Sequence, residues 1–158
     1  MKAPTDDPRM GTVPAMENAS ILVVEDATVI QRFVNETLTR AGAEVTVVEN
    51  GLIALQVIRA HTPDLIVLDL AMPVMDGWSL LKAIRSNVAF SEVPVLIITA
   101  HGQTPTASGV DHLGADAFMG KPFSPTELLR VAGSLLTNGR KPEDVARDVA
   151  GASLEKDA

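Results

Sequence analysis

Short apolar runs alternate with amphipathic segments along most of this chain, and no other feature of the sequence constrains the fold as strongly. The apolar runs are four or five residues long at most and end at polar or turn-forming residues, which favours buried strands over helices. They predict five strands, at residues 21–24, 44–48, 65–68, 95–98 and 117–119.

The segments between the strands have apolar residues at helical spacing. This spacing predicts helices over residues 28–40, 51–60, 77–86 and 125–138. Side chains suited to capping the helix starts are Asp26 or Thr28, Asn50, Asp76 and Ser124. A further helix has to lie within residues 101–113, where Gly109 and weak helix formers lower the propensity. We therefore expect residues 101–113 to be the most mobile part of the folded core.

Five strands alternating with five helices predict an α/β fold, namely a (βα)5 doubly wound, five-stranded parallel sheet with helices on both faces. The domain is expected over residues 20–138. Residues 1–19 contain three prolines and no apolar periodicity, so we expect them to form a disordered extension. Deleting residues 1–18 should therefore change stability little. Residues 139–158 are expected to form a C-terminal tail, with a short helix as the alternative to an irregular segment.

Composition excludes several classes of function. The chain has no cysteine, so disulfide frameworks and thiolate metal sites are ruled out. Its formal charge of −7 argues against nucleic-acid binding, which needs clustered lysine and arginine. No apolar run has the roughly 20 residues of a membrane span, and the N-terminus lacks the apolar core of a signal peptide. A cytoplasmic protein without a membrane or nucleic-acid partner is expected.

Charged and polar residues follow the predicted strands at the points where the strands end. Glu25 and Asp26 follow the first strand, Asp69 the third, Thr99 the fourth and Lys121 the fifth. The carboxyl ends of parallel strands share one edge of the sheet, so we expect these side chains to lie together. Three carboxylates beside one ammonium repel each other unless a cation binds. Mg²⁺ fits because it needs few carboxylates and leaves room for phosphate oxygens.

The segments "VVEDA", "VLDLAMPVMDGW", "IITA" and "GKPF", taken in this order, resemble the receiver domain of two-component response regulators, of the stand-alone chemotaxis type. The resemblance covers residues 20 to about 137. It implies the strand order 2-1-3-4-5 and a phosphorylation-dependent signalling switch. In that reading Asp69 accepts a phosphoryl group in a Mg²⁺-dependent reaction, and the chain is no enzyme beyond slow self-catalysed phosphorylation and dephosphorylation.

The resemblance also assigns roles to the other site residues. Asp26 and Asp69 bind Mg²⁺ directly, Glu25 binds it more often through water, and the backbone carbonyl of Ala71 is a further ligand. Lys121 contacts the phosphoryl oxygens, and the peptide bond that follows it is expected to be cis. Thr99 and Phe118 are the expected switch residues: Thr99 bonds to the attached phosphate, and Phe118 changes rotamer. A fixed core aromatic at position 118 is the alternative.

The expected partners are proteins. They are a histidine kinase or histidine phosphotransfer protein, and a downstream target that contacts the fourth helix, fifth strand and fifth helix. No output domain is seen after residue 137, so a protein contact or a phosphoryl relay is expected, from a monomer or weak homodimer. Two alternatives stay open. A phosphatase of the haloacid-dehalogenase type uses similar groups, but it needs a general-acid Asp where this chain has Ala71. A degenerate receiver that serves only as a docking module is the other.

Overall fold

The architecture is taken from a computed structural model of the chain, which describes residues 14–70, 72, 74–100 and 114–139. Five parallel strands form one sheet in the order β2-β1-β3-β4-β5. The predicted sheet and its strand order are confirmed. The strands are β1 (Ser20–Val24), β2 (Glu44–Val48), β3 (Leu65–Asp69), β4 (Val95–Thr99) and β5 (Ala117–Gly120).

Four of the five predicted helices lie within the described residues. The helices are α1 (Thr28–Arg40), α2 (Gly51–Ala60), α3 (Gly77–Ser86) and α4 (Pro125–Asn138). The helix expected within residues 101–113, together with the mobility predicted for that segment, lies outside the described residues. None of the described helices is long and apolar enough to cross a bilayer. The helix that the sequence predicts as the fifth is therefore α4 in this numbering.

The sheet separates two apolar cores because successive side chains of a strand point to opposite faces. In β1, Leu22 and Val24 pack on the side of α2 and α3. Ile21 and Val23 pack on the side of α1 and α4. The central strands β1, β3 and β4 are almost entirely buried, as expected for parallel strands covered on both faces. Helices on both faces are thus confirmed.

Side-chain caps start three of the helices at the predicted residues. Asn50 accepts a hydrogen bond from the Ile53 amide at 2.9 Å, and Asp76 accepts one from the Ser79 amide at 2.8 Å. Ser124 caps α4 in the same way through the Glu127 amide, at 3.0 Å. Each cap satisfies an amide that has no partner inside its helix.

The capping residue predicted for α1 is wrong. Ala27 precedes this helix, and no side chain caps it. The Ala27 amide instead donates to the Glu25 carboxylate at 3.0 Å. Asp26 caps nothing, because its carboxylate belongs to the group of acids at the strand ends. The carboxylates of Glu25 and Asp26 therefore belong to the group of acids at the strand ends and do not cap α1.

The domain begins earlier than residue 20. Residues Pro14–Met16 form one turn of 3-10 helix, and Met16 is fully buried in the core between the sheet and α1 and α4. The Asn18 amide donates to the Gly42 carbonyl at 2.9 Å, and the Glu44 amide donates to the Ala19 carbonyl at 2.8 Å. The predicted extension over residues 1–19 is wrong for residues 14–19, because one apolar side chain with two backbone hydrogen bonds anchors them. Residues 1–13 and 140–158, with the predicted tail, lie outside the described residues.

A buried ion pair joins α3 to the amino end of β5. The Arg85 guanidinium contacts the Asp116 carboxylate at 2.7 Å and donates to the carbonyls of Gly114, Ser91 and Val93. The same carboxylate accepts a hydrogen bond from the Val95 amide at 2.8 Å. The guanidinium thus fastens the loop before β4 and the residues before β5 to the end of α3.

Candidate functional site

Strand register brings the predicted site residues to one edge of the sheet. Asp69 is the last residue of β3, and Thr99 is the last residue of β4. Thr99 is paired with Gly120, so Lys121 follows directly beside it. Glu25 follows β1, whose neighbours in the sheet are β2 and β3. The alternation of strand and helix therefore gathers residues from four separate segments of the chain.

Three carboxylates meet at this edge. Glu25, Asp26 and Asp69 each offer one oxygen, and the three oxygens lie within 4.8 Å of one another. Glu25 is fully buried, Asp69 is 4% exposed, and Asp26 is exposed to solvent. The group is therefore closed on the protein side and open on the side of Asp26. A cation that prefers oxygen ligands can reach it from solvent and bind several carboxylates at once.

The Lys121 ammonium lies between two of these acids. Its Nζ atom is 3.1 Å from Glu25 Oε1 and 3.6 Å from Asp69 Oδ1. The backbone amide of Lys121 donates to the Thr99 carbonyl at 2.7 Å, which holds the start of this loop against β4. The peptide bond to Pro122 is cis, as predicted. The ammonium thus lies beside Asp69, the carboxylate that the family resemblance predicts to be the phosphoacceptor.

Glu25 is held firmly although its surroundings disfavour its charge. One carboxylate oxygen accepts from the Ala27 amide, and the backbone carbonyl of Glu25 accepts from the Gln31 side-chain amide. Burial raises the pKa of Glu25 above its usual range, and the charge of Asp69 raises it further, against the lowering effects of the Ala27 amide and Lys121. Oε1 is buried and close to the ammonium, yet it receives no hydrogen bond of good geometry. An additional positive charge at this edge would relieve that cost.

The two expected switch residues lie beside this group. Thr99 is fully buried at the end of β4, one strand away from Asp69. Phe118 in β5 is half-buried and packs against the core on the side of α2 and α3. This placement agrees with a rotamer switch and equally with a fixed core aromatic, so the choice between them stays a prediction. The carbonyl of Ala71, the remaining predicted ligand, lies outside the described residues.

Gly77 is a positioning residue that the sequence reasoning did not single out. A Cβ atom at this position would lie 2.4 Å from the Asp69 carbonyl oxygen and 2.7 Å from the Leu70 Cα. The Gly77 amide donates to the Leu70 carbonyl at 2.8 Å. The first residue of α3 therefore returns to the end of β3, and only glycine permits this approach. The dipeptide "DG" at residues 76–77 was the available signal, since it is a common turn sequence.

Comparison with known proteins gives a consistent match. The family model described as "Response regulator receiver domain" matches residues 21–132. The chemotaxis response regulator CheY4 of Vibrio cholerae superposes with a TM-score of 0.70 at 31% identity, covering 75% of this chain and 98% of that protein. The receiver domain of NtrX from Brucella abortus gives 0.69 at 33% identity, with the same coverage.

A curated relative adds information on length. "Probable transcriptional regulator ycf27" of Porphyra purpurea is 39% identical over 132 residues, which cover 78% of this chain and 53% of that protein. The chain spans about half the length of the curated relatives that it matches. The residues matched by the family model, 21–132, contain the carboxylates, Thr99 and Lys121.

Proposed function

The chain belongs to the response regulator receiver domain family, and on that premise we propose that it is a two-component signalling switch phosphorylated on Asp69. The donor is the phosphohistidine of a kinase or phosphotransfer protein. An Asp69 carboxylate oxygen bonds to phosphorus as the bond from phosphorus to the imidazole nitrogen breaks, and that nitrogen keeps the electron pair. The observation that carries the proposal is the Lys121 ammonium 3.6 Å from a buried Asp69 carboxylate at a strand end.

Lys121 stabilises the charge that develops during transfer. The phosphoryl oxygens gain negative charge as phosphorus moves between donor and acceptor, and a fixed ammonium beside them lowers the barrier. In the structure the ammonium is 3.1 Å from the Glu25 carboxylate and 3.6 Å from the Asp69 carboxylate, so it is closer to Glu25. A phosphoryl group on Asp69 would draw the ammonium towards its oxygens. The residual contact with Glu25 keeps the lysine side chain at the site in the meantime.

The carboxylate group fits Mg²⁺. Asp26 and Asp69 would hold the ion directly and Glu25 through water, since three oxygens within 4.8 Å form a suitable set of ligands. When bound, the ion supplies positive charge that shields the attacking carboxylate from the incoming phosphoryl group. The shared ammonium supports this assignment, because Glu25 and Asp69 are both buried beside the single cation of Lys121. Asp26→Asn is expected to weaken Mg²⁺ binding by at least about tenfold.

The proposed output is a change in protein contacts or a phosphoryl relay, made in the cytoplasm by a monomer or weak homodimer. The partner surface proposed from the family resemblance includes β5, which precedes Lys121 in the chain, and α4, which follows it. Proteins are the proposed partners. Membranes and nucleic acid have no role in the proposal, which concerns this chain and not the remaining length of its relatives.

Intact-mass measurement after incubation with a small-molecule phosphodonor tests this function. The wild-type chain should gain one phosphoryl group with Mg²⁺ and little without it. Asp69→Asn should gain none, whereas Asp64→Asn, at the opposite end of the sheet, should behave as wild type. Steady turnover of phosphomonoesters would instead indicate the phosphatase alternative. No gain in mass with any donor would indicate a docking module, and either result would refute the proposal.

A further inference from the structure

A groove of about 340 Å³ lies at the end of the sheet opposite Asp69, between the N-terminal turn and the last turns of α4. One wall is formed by residue 15 and residues 17–19, and the other by Leu135, Leu136 and Gly139. Asp64 and Pro94 complete the lining on the sheet side. We call this feature the amino-end groove. It has no part in the site described above.

Two exposed acidic residues, Glu17 and Asp64, line the amino-end groove. The Asp64 carboxylate accepts a hydrogen bond from the Ser20 amide at 2.8 Å, and the Asp64 amide donates to the Ser20 carbonyl at 2.7 Å. Glu17 belongs to the turn that buried Met16 anchors. Among the described residues, neither acid forms an ion pair with a cation. Two like charges that share one groove attract a cationic occupant.

The chain itself supplies such an occupant where it leaves α4. Gly139 lines the groove and ends the helix with its amide donating to the Leu135 carbonyl at 2.8 Å. The next two residues are Arg140 and Lys141. Successive Cα atoms are about 3.8 Å apart, so both side chains start within about 8 Å of the groove wall. The half-buried Leu135 and Leu136 offer apolar surface for their methylene stems.

We propose that Arg140 and Lys141 occupy the amino-end groove and pair with Glu17 and Asp64. The pairing ties the chain that follows α4 to the N-terminal turn. It also fixes the direction in which that chain leaves the domain, at the end of the sheet remote from Asp69. Phosphorylation of Asp69 is therefore left unobstructed. The proposal uses charge, groove shape and chain continuity, and does not depend on the chemistry of Asp69.

Limited proteolysis of the full chain with trypsin tests the proposal. Trypsin can cut after Arg140 and after Arg147, whereas Pro142 blocks the bond after Lys141. In the double variant Glu17→Gln/Asp64→Asn, cleavage after Arg140 should become about three to ten times faster, since each exposed pair contributes a few-fold. Cleavage after Arg147 should not change. Salt of about 1 M should accelerate the wild-type reaction in the same way.

Two controls make the result specific. Glu36→Gln removes an exposed acid from α1, outside the groove, and should leave both rates unchanged. Cleavage after Arg59, in α2, reports loss of the fold and should stay slow in every variant. Equal Arg140 rates in the wild type and the double variant would overturn the proposal. So would protection of Arg140 that disappears on dilution, since a second copy would then be the source of the basic residues.

Discussion

Asp116 and Asp69 are both buried aspartates beside strand ends, but they lie at opposite ends of the sheet and have different neighbours. Asp116 is 2.7 Å from the Arg85 guanidinium and accepts a hydrogen bond from the Val95 amide. Asp69 is 3.6 Å from the Lys121 ammonium, which lies closer to Glu25, and its charge raises the pKa of that second acid. The first carboxylate is compensated locally, whereas the second shares one cation with another acid.

The two ends of the sheet therefore have different roles. At the amino end, acids satisfy backbone amides and a guanidinium, and Met16 closes the core. At the carboxyl end, three acids lie close together, and two of them share the Lys121 ammonium. Substitutions at the amino end should therefore cost stability without affecting phosphorylation. Neutralising substitutions at the carboxyl end should instead reduce phosphorylation without lowering stability, since functional sites are often not optimised for stability.

The largest effect is expected at the Arg85–Asp116 pair. Arg85→Ala should lower the free energy of unfolding by about 3–5 kcal/mol, because it leaves a buried carboxylate without its cation. Denaturant unfolding measures this change. Arg59→Ala, at an exposed position of α2, is the matched control and should change stability by less than about 0.5 kcal/mol. A loss below about 1 kcal/mol for Arg85→Ala would show that the Asp116 charge does not depend on this guanidinium for compensation.

Met16→Ala should have the next largest effect. Truncating this fully buried side chain removes apolar contacts and leaves a cavity, for an expected loss of about 2–5 kcal/mol. Deletion of residues 1–18 should cost a similar amount, in contrast to the expectation from the sequence. Thermal and denaturant unfolding measure both. Val88→Ala, at a position that is 92% exposed, is the control for apolar truncation and should be near neutral. Equal, small effects at both positions would show that the N-terminal turn is not part of the domain.

Glu25→Gln should stabilise the chain at neutral pH, on the order of 1 kcal/mol. Because the pKa of Glu25 is raised by burial, its charged form disfavours folding. The stability associated with protonated Glu25 is present below the ordinary carboxyl pKa and is lost as pH rises through the raised value. The advantage of glutamine should thus be seen at pH 7 and should shrink near pH 4. Glu36→Gln controls for net charge, and a stability loss at pH 7 in Glu25→Gln would contradict the assigned pKa direction.

The smallest effect concerns the backbone beside the site. Val74 has a φ of 71°, a left-handed conformation that is unfavourable for a β-branched residue, and it is 71% exposed. Val74→Gly should raise the free energy of unfolding by about 0.5–1 kcal/mol. Val88→Gly, at an exposed position that is not among the positive-φ residues, should instead lower it slightly. Denaturant midpoints with unchanged slopes would measure both, and a loss in Val74→Gly would show that the strain is absent.

Local signals allowed most of the fold to be predicted from the sequence. Continuous apolar runs identified the buried strands, and Asn50, Asp76 and Ser124 fixed helix starts because a cap acts within three residues of itself. The site residues were found for the same reason, since parallel strands place their ends together whatever lies between them. Glu25, Asp26, Asp69, Thr99 and Lys121 all lie at the predicted edge.

The features that were missed depend on contacts between distant residues. The pair of Arg85 and Asp116 is 31 positions apart, and nothing local distinguishes this arginine from an exposed one. Met16 follows a polar, proline-containing segment, and its burial depends on packing with residues of the sheet, α1 and α4 that are distant in the sequence. Ala27 precedes α1 at the position where a capping side chain was expected, and its amide donates to the Glu25 carboxylate. The sequence does not show whether a residue near a helix start caps that helix or belongs to the site.

Locating the phosphoryl group is the most direct test of the contrast between the two ends. After incubation with a phosphodonor and Mg²⁺, borohydride reduction marks the acyl phosphate, and peptide mass spectrometry identifies the reduced aspartate. Modification is expected at Asp69 alone, in the wild type and in an Asp116→Asn variant under conditions where that variant is folded. Modification of Asp26 or Asp116 in place of Asp69, or loss of labelling at Asp69 in folded Asp116→Asn, would contradict this expectation.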